Sequence, residues 1–217
     1  MATAEDQRRQ AAARGGWIDV SRPVSPATPV WPGDRSVEVD TIEIGELTVT
    51  SFTTTCHVGT HLDAPLHLDR RGIAAHEVPL GRLIGPAEVI RLPDGCRVAG
   101  PKDLPLGWAP SCSKVLLRTD SHPLNAPIDR GFGAIDADLV HWLADRGVET
   151  LGVDTPSVDP FDSEDLPAHH ALLERGMIWI EGLHLEDVQV GDWELVALPM
   201  ALRNTEAAPL RVVLRKL

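Results

Sequence analysis

Residues 57–67 read HVGTHLDAPLH, and the three histidines and one aspartate of this stretch all have odd numbers. In an extended backbone, side chains of one parity share a face, so His57, His61, Asp63 and His67 are predicted to point the same way. Pro65 argues against a regular helix, so the His-x-x-x-His spacing does not indicate helical neighbours. Imidazole and carboxylate groups suit Zn²⁺ and also Mn²⁺. The alternative is a polar turn whose histidines bond only to the backbone.

A second polar group lies in the C-terminal half of the chain. His169 and His170 begin a predicted helix, and Glu181 closes the apolar run 177–180. A carboxylate is rare at the end of a buried strand, and metal binding makes its burial tolerable. The alternative for Glu181 is an exposed strand end, and His170 alone is better explained as a surface or supporting residue. If both groups converge, a single carboxylate can bridge two ions.

Composition limits the class of protein. The 217 residues carry 32 acidic and 20 basic side chains, a formal net charge of −12, which disfavours nucleic-acid binding. Three scattered cysteines form no framework, so a reducing cytoplasm is expected. No apolar run reaches the roughly 20 residues that a membrane-spanning helix needs, and no export signal is apparent. Residues 1–16 are predicted to form a polar arm or helix, and residues 17–217 one domain.

The pattern of apolar residues predicts a single α/β domain with flanking helices. Two helices are predicted, one from a cap at Asp136 to Arg146 and one from Pro167 to Arg175, each followed by glycine. Short apolar runs at 115–117 and 151–153 are typical of central strands covered on both faces. Strands are predicted at 17–21, 37–44, 47–55, 87–92, 114–118, 150–153, 177–181, 194–199 and 211–215.

The stretch 57–67 resembles the signature of the metal-dependent cyclase family of hydrolases. Within that family the likeness is greatest to the bacterial kynurenine formamidases. Supporting stretches are DVS and VWPGD at residues 19–21 and 30–34, GVDTPSVDP at 152–160, AHHA at 168–171 and EGL at 181–183. The resemblance runs in order from about Trp17 to Leu214. It implies a mixed, partly barrel-like β-sheet and assembly as a homodimer or higher homo-oligomer.

The resemblance also implies roles for individual residues. It assigns one ion to His57, His61 and Asp63, and a second to His169, with Asp63 and Glu181 as bridging ligands. It implies His67 as the catalytic acid/base and Trp31 as a contact of an aromatic substrate. Cys56 stands where the family commonly has a small hydroxyl residue. The implied reaction is hydrolysis of N-formyl-L-kynurenine to L-kynurenine and formate in tryptophan degradation, with two Zn²⁺ per chain, or Mn²⁺.

Other functions stay open at the level of sequence. The same metal chemistry could act on another aromatic or cyclic amide such as isatin, or the chain could bind metal without catalysis. For Trp31 the alternative is a structural role in a Trp-Pro turn, and for His67 a role in the core. A serine hydrolase is poorly supported because the chain has no Gly-x-Ser-x-Gly elbow. A Cys56–His57 nucleophile pair is weakened because adjacent side chains in an extended segment diverge.

Overall fold

The computed structural model describes residues 16–217, so the arm predicted for residues 1–16 lies almost wholly outside the described residues. Twelve strands are found in that range. They are β1 (Ile18–Asp19), β2 (Glu38–Ile44), β3 (Leu47–Thr53), β4 (His61–Asp63), β5 (Ile84–Arg91), β6 (Val98–Ala99), β7 (Lys114–Arg118), β8 (Ala134–Ile135), β9 (Thr150–Val153), β10 (Ile178–Glu181), β11 (Gly191–Pro199) and β12 (Ala207–Lys216). Two α-helices are described, α1 (Ala137–Ala144) and α2 (Pro167–Glu174).

Seven strands close on themselves as a mixed barrel-like sheet. The order is β12-β11-β5-β7-β9-β10-β4, and β4 pairs back onto β12, while β1 adds to the outer edge of β12. The run β5-β7-β9-β10 is parallel, and the other pairs are antiparallel. Closure leaves no free sheet edge along the barrel, which removes a template for aggregation. The predicted single α/β domain with a barrel-like sheet is confirmed as to fold.

Two hydrophobic clusters fill the two sides of the sheet. One contains Leu62, Leu116 and Ile180 together with residues of β11 and β12. The other contains alternate residues of the same strands, such as Leu117, and the inward faces of α1 and α2. Because side chains alternate along a strand, the helices cover the face that Asp63, Trp179 and Glu181 share. This covered face carries the polar residues singled out in the sequence.

Strand β4 is the element that brings the two halves of the chain together. It is three residues long and fully buried, and it lies between β10 and β12. Its residues pair with Trp179, Ile180 and Glu181 on one side, and with Ala207, Ala208 and Pro209 on the other. His61 stands directly opposite Glu181 in the antiparallel ladder. Side chains at directly opposed positions are cross-strand neighbours, so the pairing itself places these two residues together.

The hairpin β2–β3 stands apart from the barrel sheet. The two strands pair only with each other, and all their residues are exposed. A two-stranded hairpin is marginally stable by itself in water, so this element lacks the packing that normally supports one. No helix within residues 16–217 is long and apolar enough to cross a membrane.

Candidate metal centre

Imidazole and carboxylate groups meet beside β4, on the face of the sheet that the helices cover. They come from the turn before β4, from β4 itself, from α2 and from β10. Asp63 Oδ1 lies 2.9 Å from His57 Nδ1 and 3.4 Å from His61 Nε2. Glu181 reaches the same place, with Oε2 3.5 Å from His61 Nε2 and Oε1 3.5 Å from His169 Nε2. His169 Nε2 is also 3.9 Å from Asp63 Oδ2. The predicted convergence of the 57–63 segment with residues 169 and 181 is therefore found.

The backbone route to this arrangement differs from the predicted one. Only His61–Asp63 is a strand, whereas residues 57–60 form turns and Pro65–His67 is a 3₁₀ turn. Shared parity therefore explains only His61 and Asp63. His57 and His67 reach the centre because the chain turns on either side of β4. The extended backbone on which the shared face was conditional is therefore present only at His61–Asp63.

A close approach of two backbones holds Glu181 against His61. Gly182 has φ +67°, and a Cβ atom there would lie 2.1 Å from the carbonyl oxygen of Gly59. Any side chain at Gly182 would thus push the 59–60 turn away from β10. The Thr60 hydroxyl donates to the Gly182 carbonyl and accepts from the Arg22 N–H, which ties the same junction from the other side.

Two buried polar atoms at the centre make no well-aligned hydrogen bond, although His57 Nδ1 lies 2.9 Å from one of them. These are His61 Nε2 and Asp63 Oδ1, and they face each other across the gap of 3.4 Å. Burying polar atoms without partners is costly, and a cation between them would satisfy both. Two sets of ligand atoms are close enough to hold one ion each, namely His57–Asp63–His67 and His61–Asp63–Glu181. The donor set of imidazole and carboxylate groups fits a divalent ion such as Zn²⁺ or Mn²⁺.

Electrostatic attraction between the imidazoles and Asp63 determines which groups of the centre are charged. Burial alone would raise the pKa of Asp63, but the imidazoles of His57 and His61 outweigh it and hold the pKa well below its usual range. Burial would likewise lower the pKa of His57, but Asp63 raises it to about 9. Asp63 is therefore an ionised carboxylate inside the protein. A buried anion of this kind is held in place by cationic partners.

His67 lies beside the other imidazoles but in a different electrostatic setting. Its ring centre is 4.6 Å from that of His57 and 6.0 Å from that of His169. Burial lowers the pKa of His67, and the neighbouring imidazoles of His57 and His169 lower it further against the pull of Asp63. A neutral imidazole at pH 7 can accept and return a proton. Because His67 lies close to His57 and Asp63, its ring could also serve as a metal ligand.

The outward ring nitrogens of the other three histidines face oxygen atoms. His169 Nδ1 is 2.6 Å from Asp159 Oδ2, and His61 Nδ1 is 3.2 Å from the Gly59 carbonyl oxygen. His57 Nε2 lies 3.5 Å from Glu206 Oε1. In a neutral ring, an oxygen acceptor holds the proton on the outward nitrogen and leaves the inward nitrogen as a ligand. His57, whose pKa is raised, would release its second proton on binding an ion.

An open cavity of about 550 Å³ leads to the centre. His57, His67 and Glu181 line its floor, and Trp31 and Phe161 line its wall. The Trp31 and Phe161 rings are 5.2 Å apart. This places the sequence-predicted Trp31 at the cavity, and an apolar wall beside convergent polar groups is typical of a small-molecule site.

Four further residues lie around the centre, and three of them, Trp179, Glu206 and Arg22, were not predicted from the sequence to act there. Trp179 donates its indole N–H to Asp63, Asp159 bonds His169, and Glu206 faces His57. Arg22 donates to the backbone carbonyls of His122 and Gly182, which line the cavity. For Asp159, within a Pro-bounded loop, the sequence suggests a role in orienting ligands or neighbouring backbone, with turn chemistry alone as the alternative. His170 is exposed, as its interpretation as a surface residue expects.

Comparisons with known proteins agree with this geometry. The family model described as "Putative cyclase" matches residues 18–160. A kynurenine formamidase from Salinibacter ruber (strain DSM 13855 / M31) is 42% identical over 211 residues, covering 91% of this chain and 96% of that protein. The structure of a "predicted metal-dependent hydrolase from Bacillus stearothermophilus" is 32% identical with a TM-score of 0.80, covering 91% of this chain and 97% of that one. Isatin hydrolase A from Labrenzia aggregata shares the fold, with 20% identity, a TM-score of 0.79 and 99% of each chain covered.

Proposed function

The chain belongs to the cyclase family, and on that premise we propose that it is an arylformamidase, which hydrolyses N-formyl-L-kynurenine to L-kynurenine and formate in tryptophan degradation. The observation that carries the proposal is the 42% identity to a kynurenine formamidase along almost the whole of both chains. The imidazole–carboxylate centre beneath an aromatic wall supports it, since the substrate is an aromatic amide.

The proposed ligand set divides among the residues that meet at β4. His57, His61 and Asp63 would hold one divalent ion and His169 the second, with Asp63 and Glu181 shared between the two. The expected ions are two Zn²⁺ per chain, with Mn²⁺ as the alternative. When bound, such ions supply Lewis acidity toward the formyl oxygen and an acidified water as nucleophile. The unpartnered His61 Nε2 and Asp63 Oδ1 support this assignment.

The remaining steps fall to the chain's own side chains. His67 takes the proton that water loses as its oxygen bonds to the formyl carbon. It then delivers that proton to the anilide nitrogen as the C–N bond breaks, which gives the neutral amine and formic acid. The acid releases its remaining proton to solvent and leaves as formate. Its lowered pKa supports this role because the neutral ring is the form that accepts a proton. Trp31 stacks on the anilide ring and orients the formyl group toward the centre.

The hairpin β2–β3 supports the expected homodimer. By the register, Ile42 pairs with Val49 and Ile44 with Leu47 on one face, and these four side chains are between 43% and 67% exposed. A contiguous apolar face on a solitary hairpin is typical of a protein contact. We expect light scattering of the native protein to give a mass of twice 23.5 kDa or a higher multiple.

The free cysteines Cys56, Cys96 and Cys112 fit a cytoplasmic enzyme.

The deciding experiment compares two substrates on one protein. Protein loaded with Zn²⁺ is expected to release formate from N-formyl-L-kynurenine, to lose that activity with a chelator and to regain it with added metal. Isatin under the same conditions is expected to turn over far more slowly. Preference for isatin would replace the proposed substrate, and metal binding without turnover of either compound would indicate a binding protein.

A further inference from the structure

The buried carboxylate of Asp159 stands behind His169, away from the cavity. Its Oδ2 lies 2.6 Å from His169 Nδ1 and accepts the His169 backbone N–H at 3.0 Å. Its Oδ1 accepts the Ala168 backbone N–H at 2.9 Å. Asp159 is fully buried, and both of its oxygens are engaged with residues at the start of α2.

Helix α2 begins without a cap of its own. The residue at the N-cap position is Leu166, which has left-handed backbone angles and no side chain that can accept a hydrogen bond. The first N–H groups of a helix need acceptors, and a carboxylate there also interacts favourably with the helix dipole. Asp159 supplies that acceptor from the preceding loop, at a position eight residues before the first residue of the helix. The same carboxylate thus fixes both the helix start and the ring of the histidine in its first turn.

The orientation of His169 follows from these bonds. A carboxylate accepts hydrogen bonds, so the ring proton of neutral His169 sits on Nδ1 and the lone pair on Nε2. Nε2 is the atom directed at the centre, 3.5 Å from Glu181 Oε1 and 3.9 Å from Asp63 Oδ2. The ring of His57, on the other side of the centre, is held less firmly. Its Nε2 lies 3.5 Å from Oε1 of Glu206, and the Glu206 side chain is partly exposed.

We infer that Asp159 is a positioning residue that locks His169 into the Nδ1–H tautomer and so prepares Nε2 as a ligand for the second ion. This rests on the metal centre of the proposed function. It does not depend on which amide is hydrolysed. Outer partners of this kind typically change metal affinity by 10- to 100-fold when they are removed.

Asp159→Asn tests the inference while leaving an acceptor for the helix start. The amide oxygen can still accept a backbone N–H, whereas the amide NH₂ facing the ring favours a proton on Nε2. We expect metal bound through His169 to weaken about 10- to 100-fold in chelator competition with Zn²⁺. We also expect ¹⁵N NMR of the metal-free variant to show the His169 proton moved to Nε2.

Asp136→Asn is the matched control. Asp136 caps α1 by accepting the Leu139 N–H at 2.7 Å, as Asp159 does for α2, but it lies away from the centre. A general effect of altering a helix cap would appear in both variants, and an effect on metal affinity only in Asp159→Asn. Unchanged Zn²⁺ affinity in Asp159→Asn, or an equal loss in Asp136→Asn, would overturn the inference.

Two readouts keep this test separate from that of the proposed function. If the native protein fails to hydrolyse N-formyl-L-kynurenine but binds Zn²⁺, the affinity comparison still decides the role of Asp159. If Asp159→Asn does not fold, the ¹⁵N shifts of metal-free native protein decide it. Burial would lower the pKa of His169, but Asp159 and the other carboxylates raise it, so the spectra are recorded at a pH high enough for the ring to carry a single proton. An Nδ1–H tautomer of His169 supports the inference, and an Nε2–H tautomer refutes it.

Discussion

The indole N–H of Trp179 donates a hydrogen bond of 3.1 Å to Asp63 Oδ2, and both side chains are fully buried. The two residues face each other across the β10–β4 pairing, so the register of the sheet sets this contact. It engages one oxygen of Asp63 and turns the other toward His57 and His61. An apparently structural tryptophan thereby orients the carboxylate that is proposed to bridge two ions.

Replacing Trp179 with Phe should remove this orientation. The lost hydrogen bond and the smaller ring are expected to cost about 1–3 kcal/mol in the free energy of unfolding of the metal-free protein. We expect Zn²⁺ affinity to fall about 10-fold or more, because Asp63 is then free to rotate. The measurements are urea unfolding with a chelator present, and chelator competition for Zn²⁺.

Trp193→Phe provides the comparison for this change. Trp193 is also buried, and its N–H donates to the Gln189 carbonyl at 2.9 Å. It pairs with Lys216, at the opposite end of β12 from the residues that pair with β4. We expect a similar loss of stability with unchanged Zn²⁺ affinity. Equal losses of affinity in both variants would show that Trp179 acts through packing alone.

His67→Ala separates catalysis from ligation. If His67 carries the proton, the variant should retain its metal content, and kcat should fall by about 10²- to 10⁴-fold. Metal content by elemental analysis and formate release from N-formyl-L-kynurenine are the measurements. His170→Ala, an exposed neighbour of His169, should leave both unchanged. Loss of metal from His67→Ala would assign His67 as a ligand, and full activity would remove it from the mechanism.

Trp31→Ala tests the aromatic wall. Because the ring lines the cavity and packs on Phe161, its removal should raise KM for N-formyl-L-kynurenine by about 10-fold, with a smaller effect on kcat. Trp17→Ala, at an exposed tryptophan that contacts Arg215, should leave KM unchanged. A loss of stability in Trp31→Ala with unchanged KM would favour the structural role in the Trp-Pro turn.

Local sequence patterns were sufficient for some elements and not for others. Strands β7 and β9 agree with prediction at both ends, because each is a short apolar run covered on both faces. Strand β4 was missed as a strand, since three residues between turns show no periodicity. The barrel closes through pairing of β4 with β12, about 145 residues away, and no local pattern reports such a contact.

The same distinction applies to the candidate site. Residue chemistry was enough to single out Asp63 and Glu181, because buried carboxylates beside histidines are rare outside functional sites. Arg22 could not be recognised, because its partners are carbonyl groups of the backbone. It donates to the carbonyls of Gly182 and Asp154, which lie more than 130 residues further along the chain. Side-chain identity carries no information about such partners.

Arg22→Lys should loosen the wall of the cavity. The guanidinium donates to the carbonyls of His122, Pro123, Asp154 and Gly182, and a single ammonium cannot span them. We expect a loss of about 2–3 kcal/mol in the free energy of unfolding and a rise in KM.

Arg35→Lys serves as the reference for that change. Arg35 is exposed and pairs only with Glu38 among the described residues, so its effect should stay within about 0.5 kcal/mol. The measurements are urea unfolding and KM for N-formyl-L-kynurenine. If the two substitutions prove equally mild, Arg22 does not hold the cavity wall together.

His122 should make the protein less stable in mild acid. Burial lowers the pKa of His122 to about 4, and the neighbouring Arg22 adds to the shift. In the unfolded chain the pKa is about 6.5, so the unfolded state takes up the proton first as the pH falls. The stabilising contribution of neutral His122 is therefore complete above pH 6.5, declines as the pH falls from there, and is gone below pH 4.

His122→Gln, which cannot titrate, should lose less stability than the native protein between pH 7 and 4.5. Urea unfolding at several pH values, with a chelator present so that metal release does not contribute, measures this difference. Parallel pH profiles for the two proteins would mean that His122 is protonated equally easily in both states, and that the cavity wall around it is open to water.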